Sequence, residues 1–404
     1  MVRNAAFAAV WVEKQGGSRD IVTLMRSTAA LCLLAASVAF SGISFGASSK
    51  WLVYFGTYTG QTSKGIYVSE YDPATGRIGD VQLAGEITRP SWILADASGR
   101  HLYAVSELGN DARTSGEISS FSIDRSTGKL TFMNKVSSGG GGACHLALDK
   151  AGKTIFVADY GSGRVAAIRV NADGSLGDQT AMDQHTGSSV NPARQKGPHA
   201  HAVVLSPDDR FLFVPDLGLD KVFSYRLNPA AGSLAPNDPP FASVTPGAGP
   251  RHFAFHPNGK FAYVVDEMGS KVSAFSYDKQ SGKMTPLAEY STLPEGFNGV
   301  NNSAEIAIDA KGNHLYASNR GADTIAVFDI DANSGKLSKV QDNSVQGRTP
   351  RNFRLDPAGK FLLAANQDSN NVVAFKIDAK NGRLAPTGDT FTVPSPVCIL
   401  FLKN

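Results

Sequence analysis

Two histidines, His199 and His201, alternate in the segment GPHAHAVVLSPDD at residues 197–209. On an extended strand that spacing turns both imidazoles to one side. Such a pair can serve as zinc ligands if a third ligand joins it, or as general bases near neutral pH. Further along, GPRHFAF supplies Arg251 and His252, and the apolar run FAYVVD that follows ends at Glu267. Arg320 closes a similar run in SNRG, and Arg351 follows Pro350 in TPRN. A pair such as Arg251–Glu267 is either a structural ion pair between neighbouring strands or part of a reacting site. Glu107, Asp159 and Asn302 carry the oxygen ligands that calcium prefers. Two familiar devices are missing. No Gly-x-Ser-x-Gly elbow occurs, which argues against a serine hydrolase of the α/β type. The GGGG run at 139–142 lacks the Lys-Ser/Thr and the following helix of a phosphate loop, and reads as a linker between units.

These residues are positioned by a repeat. The segments SKWLVYFGT, GRHLYAVSE, GKTIFVADY, DRFLFVPDL, GKFAYVVDE, GNHLYASNR and GKFLLAANQ begin at Ser49, Gly99, Gly152, Asp209, Gly259, Gly312 and Gly359. Each is a turn residue followed by a short apolar run, the pattern of a strand buried on both faces. A second element recurs in phase: DPATGRI at 72–78, DRSTGKL at 124–130, NADGSL at 171–176, NPAAGSL at 228–234, DKQSGKM at 278–284, DANSGKL at 331–337 and DAKNGRL at 378–384. Asx side chains cap such turns and glycine accepts their positive φ, so each marks a hairpin. Seven sheet units of this size predict an all-β fold, one seven-bladed β-propeller. The C-terminal SPVCILFL resembles the first strand of a unit, like RPSWILAD at 89–96. It is expected to close the ring by joining the N-terminal blade.

The innermost strands of a propeller surround a central channel, so polar residues at one end of them converge. Aligned on the repeat, one column holds Cys144, His201, Arg251 and Arg351, and the next holds Trp92, His145, His252, Glu305 and Asn352. The positions that end the second strands include Glu107, Tyr160, Glu267 and Arg320. Small or apolar residues would serve a purely structural role as well, and burying charge is costly unless it is paired or solvated. An insertion over 181–198, carrying Arg194 and Lys196, and a loop within 293–305 could overhang the channel; long loops in compact folds are often functional.

Composition sets the frame. The 404 residues are 42% hydrophobic, and 39 Lys and Arg stand against 36 Asp and Glu. Nothing here points to a nucleic-acid partner. Three cysteines cannot form a disulfide framework. The apolar stretch from Ala29 to Phe40 follows Met25-Arg26 and precedes small residues. It is shorter than the ~20 residues of a membrane span and reads as a signal peptide, with Met25 the better initiator and a cut between Gly42 and Ser48. Residues 1–47 are therefore expected to be a leader carrying Cys32, and residues 48–404 a nearly neutral mature domain, periplasmic or secreted, not membrane-bound and monomeric. Cys144 and Cys398 read as buried free thiols.

The stretches GPHAHAVVLSPDDRFLFVPDLGLDKV, GPRHFAFHPNGKFAYVVDE, NSAEIAIDAKGNHLYASNRG and YFGTYTG…KGIYVSEYDPATG resemble the seven-bladed lactonase family. That family includes the cycloisomerase-type 6-phosphogluconolactonases and the carboxy-cis,cis-muconate cyclases. The likeness spans residues 51–402 and implies lactone chemistry on a small-molecule substrate with no cofactor or metal. It implies catalytic roles for a histidine of the Pro-His-x-His motif (His199 or His201), Arg251, Glu267 and Arg320. Substrate contacts are expected from Glu107, His145, His252, Glu305 and Arg351. Glu267 or the histidine would act as general base, with Arg251 and Arg320 holding negative charge. Export sits awkwardly with a phosphorylated cytoplasmic lactone, so an unphosphorylated sugar lactone or another lactone is a second substrate expectation. A non-catalytic ligand- or protein-binding propeller and a lactone cyclase are the alternatives.

Overall fold

A computed structural model describes residues 51–228 and 232–404; the leader reading, with Cys32 and the choice of start, lies outside the described residues. The described chain is all-β. Its strands form seven antiparallel sheets, six of four strands in simple up-and-down order. Blades 2 to 7 start at Ile93, Ala143, Val204, Pro250, Asn302 and Pro350. Blade 1 has five strands: Trp51–Thr57, Gly65–Asp72, Arg77–Ile78 and Gln82–Glu86, completed by Pro396–Lys403 from the other end of the chain. That last strand pairs antiparallel with Trp51–Thr57, in register from Trp51↔Lys403 to Gly56↔Cys398. The expected closure is therefore present, and it removes two sheet edges that would otherwise be open to pairing.

The apolar side chains divide into seven clusters, each lying between two consecutive blades. Phe213, Phe253 and Phe275, for instance, join blades 4 and 5. The cluster of Val53, Phe55 and Ile399 with Leu363, Ala365 and Val372 joins blade 1 to blade 7. This is why the second strands read as continuous apolar runs: both faces are covered by neighbouring sheets. Their tyrosines add a polar latch. Tyr54, Tyr103, Tyr263 and Tyr316 each donate a hydrogen bond of 2.9–3.0 Å to the carbonyl of the hairpin glycine in the next blade. Two of those glycines, Gly128 and Gly335, have φ of 73° and 71°, a left-handed conformation that favours glycine. The Asx-Gly turns and the strand tyrosines are thus two halves of one contact.

First strands of adjacent blades touch around the channel from blade 5 through blades 6, 7, 1 and 2 to blade 3. Blade 4 departs from the expected pattern. Its first strand is only Val204–Leu205, and Ala200 alone bridges to Asp216, so His199 and His201 do not lie on a regular strand. The cause is Asp216, whose Oδ1 accepts from the His199 and Gly218 amides and holds the preceding loop against the blade. Cys144 and Cys398 are buried and unpaired.

Ile399 is 2% exposed in the cluster that seals the ring. Its truncation to alanine is expected to cost about 2–4 kcal/mol of stability, measured by urea unfolding of residues 48–404.

Candidate active site

Five of the innermost strands carry an irregularity at the same place. The register shifts between Pro250 and His252, Pro350 and Asn352, Pro396 and Cys398, and Ser303 and Ile306, and opposite Ala143–His145. The extra residues are Arg251, Arg351, Val397 and Cys144, and on blade 6 Ala304–Glu305 stand opposite Ser318 alone. A regular strand would send Arg251 and His252 to opposite faces; a bulge re-aims the extra side chain, so both can face the channel.

Glu267 stands at the centre. It follows the second strand of blade 5, where its amide donates to Gly249 O at 2.7 Å. Its Oε2 accepts from Arg251 Nε at 3.0 Å and from an Arg320 terminal nitrogen at 2.8 Å. Its Oε1 accepts from Arg194 at 2.7 Å. His201 Nε2 lies 3.9 Å from Oε2. Each guanidinium is oriented by backbone or side-chain acceptors: Arg251 also donates to Ala304 O, Arg320 to Asn302 O, and Arg194 to the Tyr160 hydroxyl. Burial disfavours the Glu267 carboxylate, but Arg320, Arg251 and Arg194 outweigh it and hold the group far below its ordinary range. Burial and the nearby Arg320 and Arg351 lower Arg251 in turn.

Beside this cluster lies an imidazole layer. His252 Nδ1 is 3.0 Å from Glu305 Oε1, and Asn352 Nδ2 donates to Glu305 Oε2. His145 stacks on Trp92 at 3.9 Å between centroids and meets His252 edge to face at 5.3 Å. His201 meets His252 edge to face at 5.4 Å. Burial lowers all three histidines, with Arg251 adding to each, so the layer is neutral at neutral pH. On the far wall Tyr58 donates to Glu107 Oε2 at 2.8 Å, and Asn110 donates to Oε1. Arg89 and Arg351 pack over the Tyr58 ring at 4.4 and 5.1 Å.

The structure thus brings together His201, Arg251, Glu267 and Arg320, and beside them His145, His252, Glu305, Arg351 and Glu107. His199 stays apart: its ring stacks on Tyr160 at 4.5 Å and its Nδ1 bonds Tyr160 O. The zinc and calcium candidates are not assembled. Among the described residues no group of three or more His, Cys, Asp or Glu side chains could hold a metal ion. Glu107 is taken by Tyr58 and Asn110, and burial pushes the Asp159 carboxyl up to about 7. Sequence reasoning left Arg194, Tyr160, Tyr58 and Asn352 without roles. Tyr160 and Asn352 were visible in the converging columns. Arg194 lies in a loop that starts after Gln184, outside the repeat, where no alignment of blades can place it.

The family model for the seven-bladed β-propeller lactonases matches residues 52–401. The chain belongs to that family. It is 35% identical over 356 residues to the 6-phosphogluconolactonase of Bacillus subtilis, covering 88% of this chain and 99% of that protein. A 6-phosphogluconolactonase of Formosa agariphila is 33% identical over 75% of this chain and 86% of its own length. The periplasmic gluconolactonase of Pseudomonas aeruginosa superposes with a TM-score of 0.83 at 35% identity, over 88% of this chain and 99% of that one. The lactonase-family member described here is accordingly an enzyme of the lactone-hydrolase class.

Because the Glu267 carboxylate is favoured by folding, it stabilises the native state above its ordinary value of 4.5, and this support is lost as pH falls below that value. Glu267→Gln leaves three guanidiniums short of a partner. It is expected to cost about 3–5 kcal/mol at pH 7 and to flatten the loss of stability between pH 5 and 3, as followed by denaturant unfolding across pH.

Proposed function

We propose that this chain opens a sugar lactone by metal-independent hydrolysis at the mouth of its central channel, on a 6-phosphogluconolactonase-like substrate. The observation that carries the reading is the guanidinium cluster. Arg194, Arg251, Arg320 and Arg351 approach one point, and Glu267 is the one carboxylate they share through direct ion pairs among the described residues. Arg351 has no hydrogen bond to its guanidinium among the described residues; it rests on the Tyr58 ring. Several guanidiniums gathered around one carboxylate favour a further anion, and Arg binds carboxylate and phosphate in a fixed fork. Such a site suits a lactone that carries an anionic group and an intermediate that develops an oxyanion.

Hydrolysis requires a water deprotonated as it attacks the ring carbonyl. Glu267 is a poor base because three guanidiniums stabilise its ionised form. The neutral imidazoles beside it are better placed for that proton, and Arg251 and Arg320 would hold the negative charge that forms on the carbonyl oxygen. The chain would act outside the inner membrane, as a monomer: residues 1–47 read as a leader, a related structure is that of a periplasmic enzyme, and the last strand pairs within its own ring and not with a second copy. Among the described residues no helix is long and apolar enough to cross a membrane.

Two expectations test this reading. Purified residues 48–404 should accelerate opening of 6-phosphoglucono-1,5-lactone or glucono-1,5-lactone over the spontaneous rate, equally with and without chelator; Arg251→Ala should abolish the acceleration. Full activity in Arg251→Ala and Glu267→Gln would overturn the site. Arg351→Ala should raise KM for the phosphorylated lactone at least tenfold while changing KM for the neutral one less, as measured by pH-stat titration of the acid released.

A further inference from the structure

The imidazole layer has a polarity that its hydrogen bonds dictate. The Ile399 amide, on the strand that closes the ring, donates to Asn352 Oδ1 at 3.0 Å. A backbone N–H can only donate, so Oδ1 is the carbonyl end of that amide and Nδ2 is the end that faces Glu305. Nδ2 donates to Glu305 Oε2, and the Ile306 amide donates to Oε1 at 3.1 Å. Both carboxylate oxygens are therefore acceptors. His252 Nδ1, 3.0 Å from Oε1, must carry the proton. In the neutral ring, His252 Nε2 is then a lone pair, and no protein group among the described residues bonds to it.

His145 is set the other way. The Val203 amide reaches its Nδ1 at 3.3 Å. This obligate donor makes Nδ1 the acceptor, so in the neutral ring Nε2 carries the hydrogen. Two rings that meet edge to face at 5.3 Å thus offer opposite groups, a base on one and an N–H on the other. His201 has no such constraint: its Nδ1 lies 4.0 Å from the Cys144 sulfur and its Nε2 3.9 Å from Glu267. Of the three imidazoles, only His252 is held by a carboxylate at hydrogen-bond distance, the arrangement that fixes tautomer and raises basicity in nucleophile–base–orienter systems.

We propose that His252 is the general base of the hydrolysis, oriented by Glu305 and Asn352, and that His145 presents the opposed N–H to the lactone carbonyl. The inference rests on the hydrolase reading above. His252 Nε2 takes a proton from water as the water oxygen bonds to the carbonyl carbon. The displaced electron pair moves to the carbonyl oxygen, which His145 Nε2–H and the arginines hold. On collapse the ring C–O bond breaks, and the ring oxygen takes the proton back from His252. Lactone plus water gives the hydroxy acid with nothing left over. Glu305 and Asn352 are positioning residues, reaching the reaction through His252.

The groups facing His252 are Glu305 on blade 6, His145 and His201 on blades 3 and 4, Arg251 beside it, Arg351 on blade 7 and the Trp92 ring on blade 2. Glu305 is the one that favours its protonated form. The test measures kcat and KM from pH 4.5 to 8 on 6-phosphoglucono-1,5-lactone, with glucono-1,5-lactone alongside, for residues 48–404 and three variants. His252→Gln should lower kcat at least 100-fold with KM within about threefold. Glu305→Gln should lower kcat less and move the acid limb of the kcat profile to lower pH, a shift that a merely structural role would not produce. A folded His252→Gln within threefold of the parent kcat, or a Glu305→Gln profile with an unmoved acid limb, overturns the proposal. Should His252→Gln fail to fold by circular dichroism, the Glu305→Gln profile decides alone. If Arg251→Ala is inactive while His252→Gln is active, only this inference falls. If the parent opens neither lactone, the hydrolase reading falls and takes this one with it.

Discussion

Glu267 is gripped by three guanidiniums that come from three separated parts of the chain: Arg251 from the first strand of its own blade, Arg320 from the next blade, and Arg194 from the loop ahead of blade 4. The Arg251–Glu267 pair is buried at both ends, at 3% and 6% side-chain exposure. Pairs so far from water contribute to a fold only when geometry and remaining hydrogen bonds are complete. Here further donors of the three guanidiniums go to Ala304 O, Asn302 O and the Tyr160 hydroxyl. The cluster therefore depends on the ring holding blades 5 and 6 at a fixed spacing, and it adds a tie to a loop that His185, Gln195 and the His199 amide also fasten to blade 4. Arg194 is the most exposed of the three, at 39%. It is the member a ligand would meet first.

Ring closure reaches the chemistry by a second path. The strand Pro396–Lys403 completes blade 1, yet its Ile399 amide points across to blade 7, where it fixes Asn352. From there the direction of every hydrogen bond is set as far as His252. A donor that cannot reverse, at the seam of the ring, thus determines which nitrogen of an imidazole in blade 5 is free. Stability and site are not separable at this seam.

Much of this was legible from the repeat. The alternation of apolar runs and Asx-Gly turns counted the blades, because a strand covered on both faces and a hairpin needing positive φ leave different composition. The converging columns picked out Arg251, Glu267, Arg320, His145, His252 and Glu305 because each blade places its polar residues at the same end of the channel. The repeat was silent wherever the backbone leaves it. Nothing in composition announces the bulges that let Arg251 and His252 face one way. Arg194 comes from an insertion with no counterpart in other blades. The spacing of His199 and His201 suggested a regular strand, but Asp216 captures the His199 amide and breaks it, so only His201 enters the cluster.

The two layers also divide the work that a lactone would ask of the site. Guanidiniums stay charged across the accessible pH range and suit permanent negative charge, whereas neutral imidazoles can take and return a proton. Placing the carboxylate Glu267 among the former removes it as a base, while placing Glu305 beside an imidazole uses the same functional group to orient one. Two glutamates 38 positions apart in the chain take opposite roles because one faces three guanidiniums and the other an imidazole, an amide and a backbone N–H. Environment, set by which column of the ring each residue occupies, assigns the chemistry that residue type alone leaves open.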